Sequence, residues 1–349
     1  MNNKLDIAVN YATLLGAHHS SHSGYAQIFR YMGRRVSAPT TPRWPHGRLP
    51  ALLNTACAFI SGSPWYTFSA LRLELSTFMD MWLRKNELYH FLNGDTDCRY
   101  IPLLNGFRGH KVIATYHQPP DELCKGVSGP VLQRLTAALA VASNQVDYLT
   151  RFVGSNRVFV IPHGVDTDYF QPGEGSKIDS KLVLSVGTHL RDFDTLALAA
   201  ATVERKESDI HFAVVTHPER GHVFVGLPHV RVYSHISDDD LLRLYQQADL
   251  AVFPLQDCTA NNAVLEAMAC GLPIVVTDVG GIRDYVDETC AMLTPRKDAQ
   301  AIAEAIMQLC SDSALRQQLG KQSREKALQF DFRKVVERLA EVYEIIVTI

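Results

Sequence analysis

No uninterrupted apolar run in this 349-residue chain approaches the ~20 residues that a bilayer-spanning helix needs, so a membrane-embedded fold is not expected. There is no Cys-x-x-Cys pair either. The seven cysteines, Cys57, Cys98, Cys124, Cys258, Cys270, Cys290 and Cys310, are scattered and odd in number, which argues against a disulfide framework or a zinc ribbon and fits a reducing compartment. The first residues, MNNKLDIAVNYA, carry Asp6 and lack the apolar core of a signal peptide, so the expected location is the cytoplasm. Acidic residues are missing altogether between Asp6 and Glu74, while Arg30, Arg34, Arg35, Arg43, Arg48 and Arg72 fall in that interval. Residues 1–165 carry a net charge of +7 and the remainder −10, against −3 for the whole chain. The basic stretch 30–72, which also holds Trp44, Trp65, Tyr66 and Phe68, suits an anionic acceptor or the peripheral face of an anionic membrane, or pairs with acids from elsewhere in the fold.

What is present is an ordinary globular composition, 46% hydrophobic and 20% charged, in a chain long enough for two domains. Short apolar runs alternate with segments of helical period. Lys4–Asn10, Tyr89–Asn93, Lys111–Tyr116, Ala137–Ala142 and the start of Val158–Phe170 read as strands, and Trp65–Lys85 as a long amphipathic helix. Ser37–Gly62 reads as loop with one short helix. A Gly- and Ser-containing stretch, QPGEGSKIDSK, reads as a linker, after which the pattern restarts with strands at Lys181–Val186, His211–Thr216, Val230–Ser234, Leu250–Leu255 and Pro273–Val279. Helices at Ala299–Cys310 and Ser313–Phe330 close the second half. Strands alternating with helices predict parallel sheets covered on both faces.

Asp257–Gly281, DCTANNAVLEAMACGLPIVVTDVGG, is the most informative stretch. It reads as a polar turn, a helix from about Asn261 to Cys270, a Gly-Leu-Pro stop, a buried strand and a Gly-Gly turn. Asn261 at the helix start leaves amide groups and the positive dipole end exposed, which makes an anion site. Glu266 sits among Ala, Val, Leu and Met, where no solvated face explains it; a carboxylate beside a phosphate-gripping helix can accept ribose hydroxyls. Arg191, in the turn VGTHLRDFDTL, stands next to a helix start where the dipole disfavours a cation, which suggests an anion ligand. His117 closes a strand in ATYHQPP, at the carboxyl end that lines ligand crevices in open α/β sheets, or it merely ends a turn there. His18, His19 and His22 lack neighbouring carboxylates or thiols at ligand spacing, and Asp238–Asp240 after Ser237 reads as the acidic first turn of a capped helix, so no metal is expected.

The 257–281 run resembles the nucleotide-sugar signature of the retaining glycosyltransferases of family 4, and VFVIPHGVDTDYF resembles that family's crossover segment, with His163 where Asn is usual. The resemblance is strong in the second half and thin in the first, where Gly24, His117 and Ser143 carry it. It implies a GT-B fold: α/β, two Rossmann-like doubly wound parallel-sheet domains facing across a cleft. Residues 1–170 would form an acceptor-side domain, 171–180 a linker and 181–330 the nucleotide-sugar domain, with a final helix at 331–349 packing back on the first. The implied activity is transfer of a sugar, with retention, from a UDP- or GDP-sugar to a glycan, lipid-linked or other anionic acceptor, without bound cofactor, metal or nucleic acid. The implied donor-binding set is Gly24, Cys258, Thr259, Asn261, Asn262, Ala263 and Glu266, with His117 and Arg191 catalytic. Glu266 matches the family's ribose-binding glutamate. The sequence departs from the family at Cys258, where a glutamate touches the donor sugar, and at Thr188, where an arginine faces the diphosphate. Two alternatives stay open: another GT-B enzyme such as a nucleotide-sugar epimerase, and, because of those departures, a GT-B nucleotide-sugar-binding subunit impaired in catalysis.

Overall fold

The structure, a computed structural model, describes residues 8–14, 22–32, 48–173 and 181–349. His18, His19, Arg34, Arg35, Arg43, Trp44 and residues 174–180 of the expected linker lie outside these. The chain divides into two compact units: residues 1–19, 25–162 and 333–349 form the first, and 20–24 with 163–332 the second.

The first unit is built on five parallel strands: β1 (Val9–Ala12), β2 (Leu88–Phe91), β3 (Lys111–Tyr116), β4 (Ala137–Ala140) and β5 (Val158–Val160), which lie side by side in chain order. Between β1 and β2 run α1 (Ile28–Tyr31), α2 (Arg48–Ser61) and α3 (Phe68–Leu83). The later crossovers carry α4 (Gly94–Asp97), α5 (Pro120–Gly126), α6 (Gly129–Leu132) and α7 (Val146–Val153). The helix in the 37–62 stretch is not short: α2 has 14 residues. The core pairs β2, β3 and β4 with α3 and α7 through Leu73, Met81, Phe91, Val112, Leu149 and Val153, all fully buried.

Three buried polar side chains tie this unit together. Gln145 accepts the amides of Val141 (2.8 Å) and Ala142 (3.1 Å) and donates to the carbonyls of Tyr116 and Gln118 (both 2.9 Å), clamping the carboxyl ends of β3 and β4 to each other. One oxygen of Glu74, on α3, accepts the amides of Arg99 (2.7 Å), Tyr100 (2.7 Å) and Ile101 (2.9 Å). These amides would otherwise be orphaned, and each would cost about 1–3 kcal/mol. His90 on β2 bonds Thr115 (2.7 Å) and the hydroxyl of Tyr343 (2.6 Å), which anchors the last helix.

The second unit has six parallel strands: β6 (Leu182–Val186), β7 (His211–Val215), β8 (Val230–Tyr233), β9 (Leu250–Phe253), β10 (Ile274–Thr277) and β11 (Ala291–Thr294). The sequence pattern misses β11, whose AMLT is too short to show a period. The order across the sheet is β11-β10-β9-β6-β7-β8, so the chain winds outward from β6, then returns to its other side at β9. That reversal is a topological switch point, and it opens a crevice at the carboxyl ends of β6 and β9. The helices are α8 (Phe193–Lys206), α9 (Asp238–Gln247), α10 (Asn262–Ala269), α11 (Ala299–Ser311) and α12 (Ser313–Ala327), followed by α13 (Phe332–Thr348), nearly all of which belongs to the first unit. α8 and α11 share one apolar core with β6, β7 and β9, including Leu196, Val203, Ile306 and Leu309. Ser237 caps α9 by accepting the Asp240 amide at 3.1 Å, so Asp238–Asp240 do form the acidic first turn of a capped helix.

His90 makes the stability of this fold depend on pH. Burial, and secondarily the charge of His117, lowers its pKa from 6.5 to about 3. The unfolded chain therefore takes a proton on this ring below pH 6.5 that the folded chain refuses until about pH 3. Its contribution is complete above pH 6.5 and is lost as the pH falls towards 3, at up to ~1.4 kcal/mol per pH unit. Urea midpoints measured across that range should fall more steeply for the wild type than for His90→Gln. Equal slopes would show that His90 is not the group responsible.

Candidate nucleotide-binding site at the switch point

Two loops meet at the carboxyl ends of β6 and β9. The amide of Asp192 donates to Pro254 O at 3.0 Å, and that of Gln256 to Leu190 O at 2.9 Å, so backbone bonds tie the β6 loop to the β9 loop. Between them lies Arg191. Its guanidinium folds inward rather than along the helix surface: Nε and Nη2 donate to Val186 O (3.1 and 2.8 Å), Nη1 to His189 O (3.3 Å) and Nη2 to Asn261 Oδ1 (3.0 Å). The Phe253 ring lies 5.6 Å from its Cζ. Burial lowers its pKa to about 10, which leaves it cationic at neutral pH. Among the described residues no carboxylate forms an ion pair with it. Gly187, at φ +110°, makes room; a Cβ there would sit 2.5 Å from Arg191 Nη2.

Asn261 is the N-cap of α10, its side chain accepting the Val264 amide at 3.4 Å while it also receives Arg191. Asn262 is half-buried and Ala263 buried in the first turn. Glu266 follows one turn on and is only 5% exposed. Its Oε2 accepts the hydroxyl of Tyr245, from α9, at 2.9 Å, and its Oε1 accepts Ser23 Oγ. Burial pushes its carboxyl up, and the two hydroxyl bonds partly oppose that. Tyr245, fully buried, also donates to Ala263 O at 3.3 Å, so it braces both ends of the first turn of α10. The sequence reading missed Tyr245. Its only signal is its place on the buried side of LLRLYQQ, which apolar packing explains equally well.

Cys258 and Thr259, on the approach to α10, are buried. The Cys258 thiol donates to Val279 O at 3.3 Å and its carbonyl accepts the Gly281 amide at 2.9 Å, which straps the loop to the turn after β10. Asp257, one residue early of the glutamate position in the resembled family, accepts the Cys258 amide at 2.8 Å. Thr188 bonds Thr216 at 3.1 Å, closing the β6 loop against the β7 end. Gly24, at φ +95°, follows Ser23 in the segment 20–24 that belongs to this unit. There His22 stacks on Tyr169 at 3.6 Å and pairs with Asp166 at 3.2 Å. The structure thus gathers two bonded sets on α10, Arg191 with Asn261 at its cap and Ser23 with Glu266 one turn on. His117 belongs to the first unit: it closes β3, its amide donating to Asp95 (2.8 Å), its Nε2 to Leu92 O (2.7 Å), with the Tyr25 ring edge-on at 5.0 Å. A carbonyl cannot donate, so Nε2 carries the proton and in the neutral ring Nδ1 is the acceptor. Among the described residues no group of three or more His, Cys, Asp or Glu is placed to hold a metal.

Residues 180–312, the part of the chain that carries this site's helix and loops, match the family model described as "Glycosyl transferases group 1". Residues 180–312 are a group 1 glycosyltransferase domain. The group 1 glycosyltransferase match is joined by similarity to the MMP alpha-(1->4)-mannosyltransferase of Mycolicibacterium hassiacum, 30% identical over 236 residues, 64% of this chain and 56% of that protein. The chain spans about half the length of the curated relatives it matches. Among solved structures, the sucrose-phosphate synthase of Thermosynechococcus elongatus aligns over 98% of this chain and 99% of its own at TM-score 0.73 and 19% identity. Anabaena Alr3699/HepE, solved in complex with UDP, aligns over 97% and 100% at TM-score 0.71 and 13% identity. At these identities the likeness establishes the fold, which is GT-B.

Gly280 tests the strap. Its φ is +58°, and a Cβ would lie 2.1 Å from Cys258 O, whereas Gly226, at φ +89°, has open space. Gly280→Ala and Gly226→Ala both incur the left-handed backbone strain, of order 1 kcal/mol. Only the first should also displace the Cys258 loop. Its melting temperature is expected to fall several degrees further than that of Gly226→Ala, and it should bind nucleotide more weakly. Equal melting temperatures would mean that the strap is not rigid.

Proposed function

We propose that the protein transfers a sugar, with retention of anomeric configuration, from a nucleoside diphosphate sugar to an anionic or lipid-linked glycan acceptor. The single observation that carries this reading is the convergence of two positive ends. Arg191, cationic and without an ion-paired carboxylate among the described residues, bonds the residue that caps α10 and so lies at that helix's positive dipole end. A diphosphate is the anion that such a site suits, and Glu266 one turn further is placed to accept ribose hydroxyls. Breaking the glycosidic bond leaves charge on the diphosphate, so preorganised cation and amides would carry most of the catalysis. Gly24, Cys258, Thr259, Asn262 and Ala263 are assigned to the donor, and His117 to the sugar and its acceptor. Retention rests on the resemblance of 257–281 to family 4. UDP is the first base to test, because the neighbour HepE was solved with UDP; GDP is the second.

Cys258 and Thr188 favour a second reading, a nucleotide-sugar-binding subunit that no longer turns its donor over. Both readings predict binding through Glu266, and they part at turnover. Hydrolysis of a panel of UDP-, GDP- and ADP-sugars, with anionic lipid acceptors added in parallel, should show turnover by the wild type. Arg191→Gln should lower that rate by roughly 10²–10³. Glu266→Ala should weaken donor affinity by about one to two orders of magnitude, the equivalent of charge-assisted hydrogen bonds worth roughly 1.5–3 kcal/mol. Binding without turnover for every donor would select the second reading.

A further inference from the structure

The first unit leaves a group of large apolar side chains in water. On α3, Leu75, Met79, Trp82 and Leu83 recur at helical spacing on one face and are between 54 and 76% exposed. Trp82 stacks on Phe107 at 5.8 Å, and Leu103, from the turn that packs on the same helix, is 56% exposed. Single exposed apolar residues are ordinary on a protein surface; a contiguous group of this size marks a contact. At the end of the stripe the charge is basic. Arg108 Nε donates to Arg84 O at 2.9 Å, which gathers Arg84, Lys85 and Arg108 beside Trp82 and Leu83. Arg84 is paired with Asp80 (2.9 Å) and Glu87 (3.4 Å), which also accept Tyr89 (2.8 Å) and Asn10 (2.7 Å), so among the described residues Lys85 and Arg108 are the cations of this group that form no ion pair. α2, which meets the start of α3 through the Phe68 amide and Asn54 (2.9 Å), also leaves Leu52, Phe59 and Ile60 exposed. It belongs to the stretch with no acidic residue between Asp6 and Glu74.

We propose that this α3 face docks on the surface of an anionic bilayer, with Trp82 and Leu83 at the headgroup boundary and Lys85 and Arg108 on lipid phosphates. Tryptophan and aliphatic side chains rimmed by cations are the complement of that interface. A second copy of the chain fits less well, because a two-fold contact would set the same cations against each other. No helix among the described residues is long and apolar enough to cross a membrane, so the contact is peripheral. The charge asymmetry of 30–72 pointed to this unit, but the exposed apolar surface that makes docking specific lies mostly beyond it, at 75–108.

Co-sedimentation of the full chain with vesicles tests the proposal. The protein should pellet with an equal mixture of phosphatidylcholine and phosphatidylglycerol, stay in solution with phosphatidylcholine alone, and be released by raised salt. Trp82→Gln with Leu83→Gln, and separately Lys85→Glu with Arg108→Glu, should each lower the partition coefficient about tenfold or more while leaving the melting temperature near that of the wild type. Failure of the wild type to pellet with anionic vesicles overturns the proposal. So does undiminished binding by both variants. A concentration-dependent dimer in sedimentation equilibrium that the Trp82 and Leu83 changes abolish would assign the face to a second copy and overturn it as well.

Discussion

The bond between Arg191 and Asn261 is the contact on which the second unit's site depends. It joins the loop after β6 to the helix after β9, across the place where the strand order reverses. Sheet topology alone opens a crevice there. The guanidinium brings charge to it, held by the carbonyls of Val186 and His189. Gly187 and the Leu190–Gln256 and Asp192–Pro254 backbone bonds are conditions for that geometry rather than decoration. A half-buried arginine held by neutral acceptors has lost part of its hydration without gaining an ion pair, and an anion would complete it.

The neighbouring carboxylate is prepared in a comparable way. Glu266 is removed from water, which disfavours its charge, and two hydroxyls, from Tyr245 and Ser23, restore part of what water supplied. Tyr245 therefore links three elements, α9, the first turn of α10 and the carboxylate, and fixes the direction in which Glu266 can accept further donors. In the first unit the same economy recurs with different chemistry. Gln145, Glu74 and His90 are each buried polar groups with full sets of partners, and each holds a loop or terminal helix that no apolar contact would register.

Much of this was legible in the sequence where the signal is local. Asn261, Glu266 and the Gly-Leu-Pro stop were readable because a cap, an acid in an apolar helix and a helix-ending glycine each carry meaning within a few residues. The alternation of strands and helices likewise predicted two parallel-sheet units, and the fold is GT-B. Partners distant in sequence were not legible. Arg191 could be singled out by its awkward position, yet nothing in VGTHLRDFDTL shows that it turns inward to Asn261, 70 residues away. Tyr245 and Gln145 give no periodic or motif signal, because one tyrosine or glutamine in a helix looks the same whether it faces solvent or a buried carboxylate. The length of α2 was missed for a related reason: its apolar residues face water, so the amphipathic pattern used to find helices is blurred.

On the proposed reading, Arg191 and Asn261 act as one anion site. Calorimetric titration of UDP and GDP into the wild type, Arg191→Gln, Asn261→Ala and the double variant measures it most directly. The two changes should be non-additive, with a coupling of about 0.5–3 kcal/mol in the binding free energy of whichever diphosphate binds. Additive losses, or nucleotide affinity that neither change affects, would contradict it.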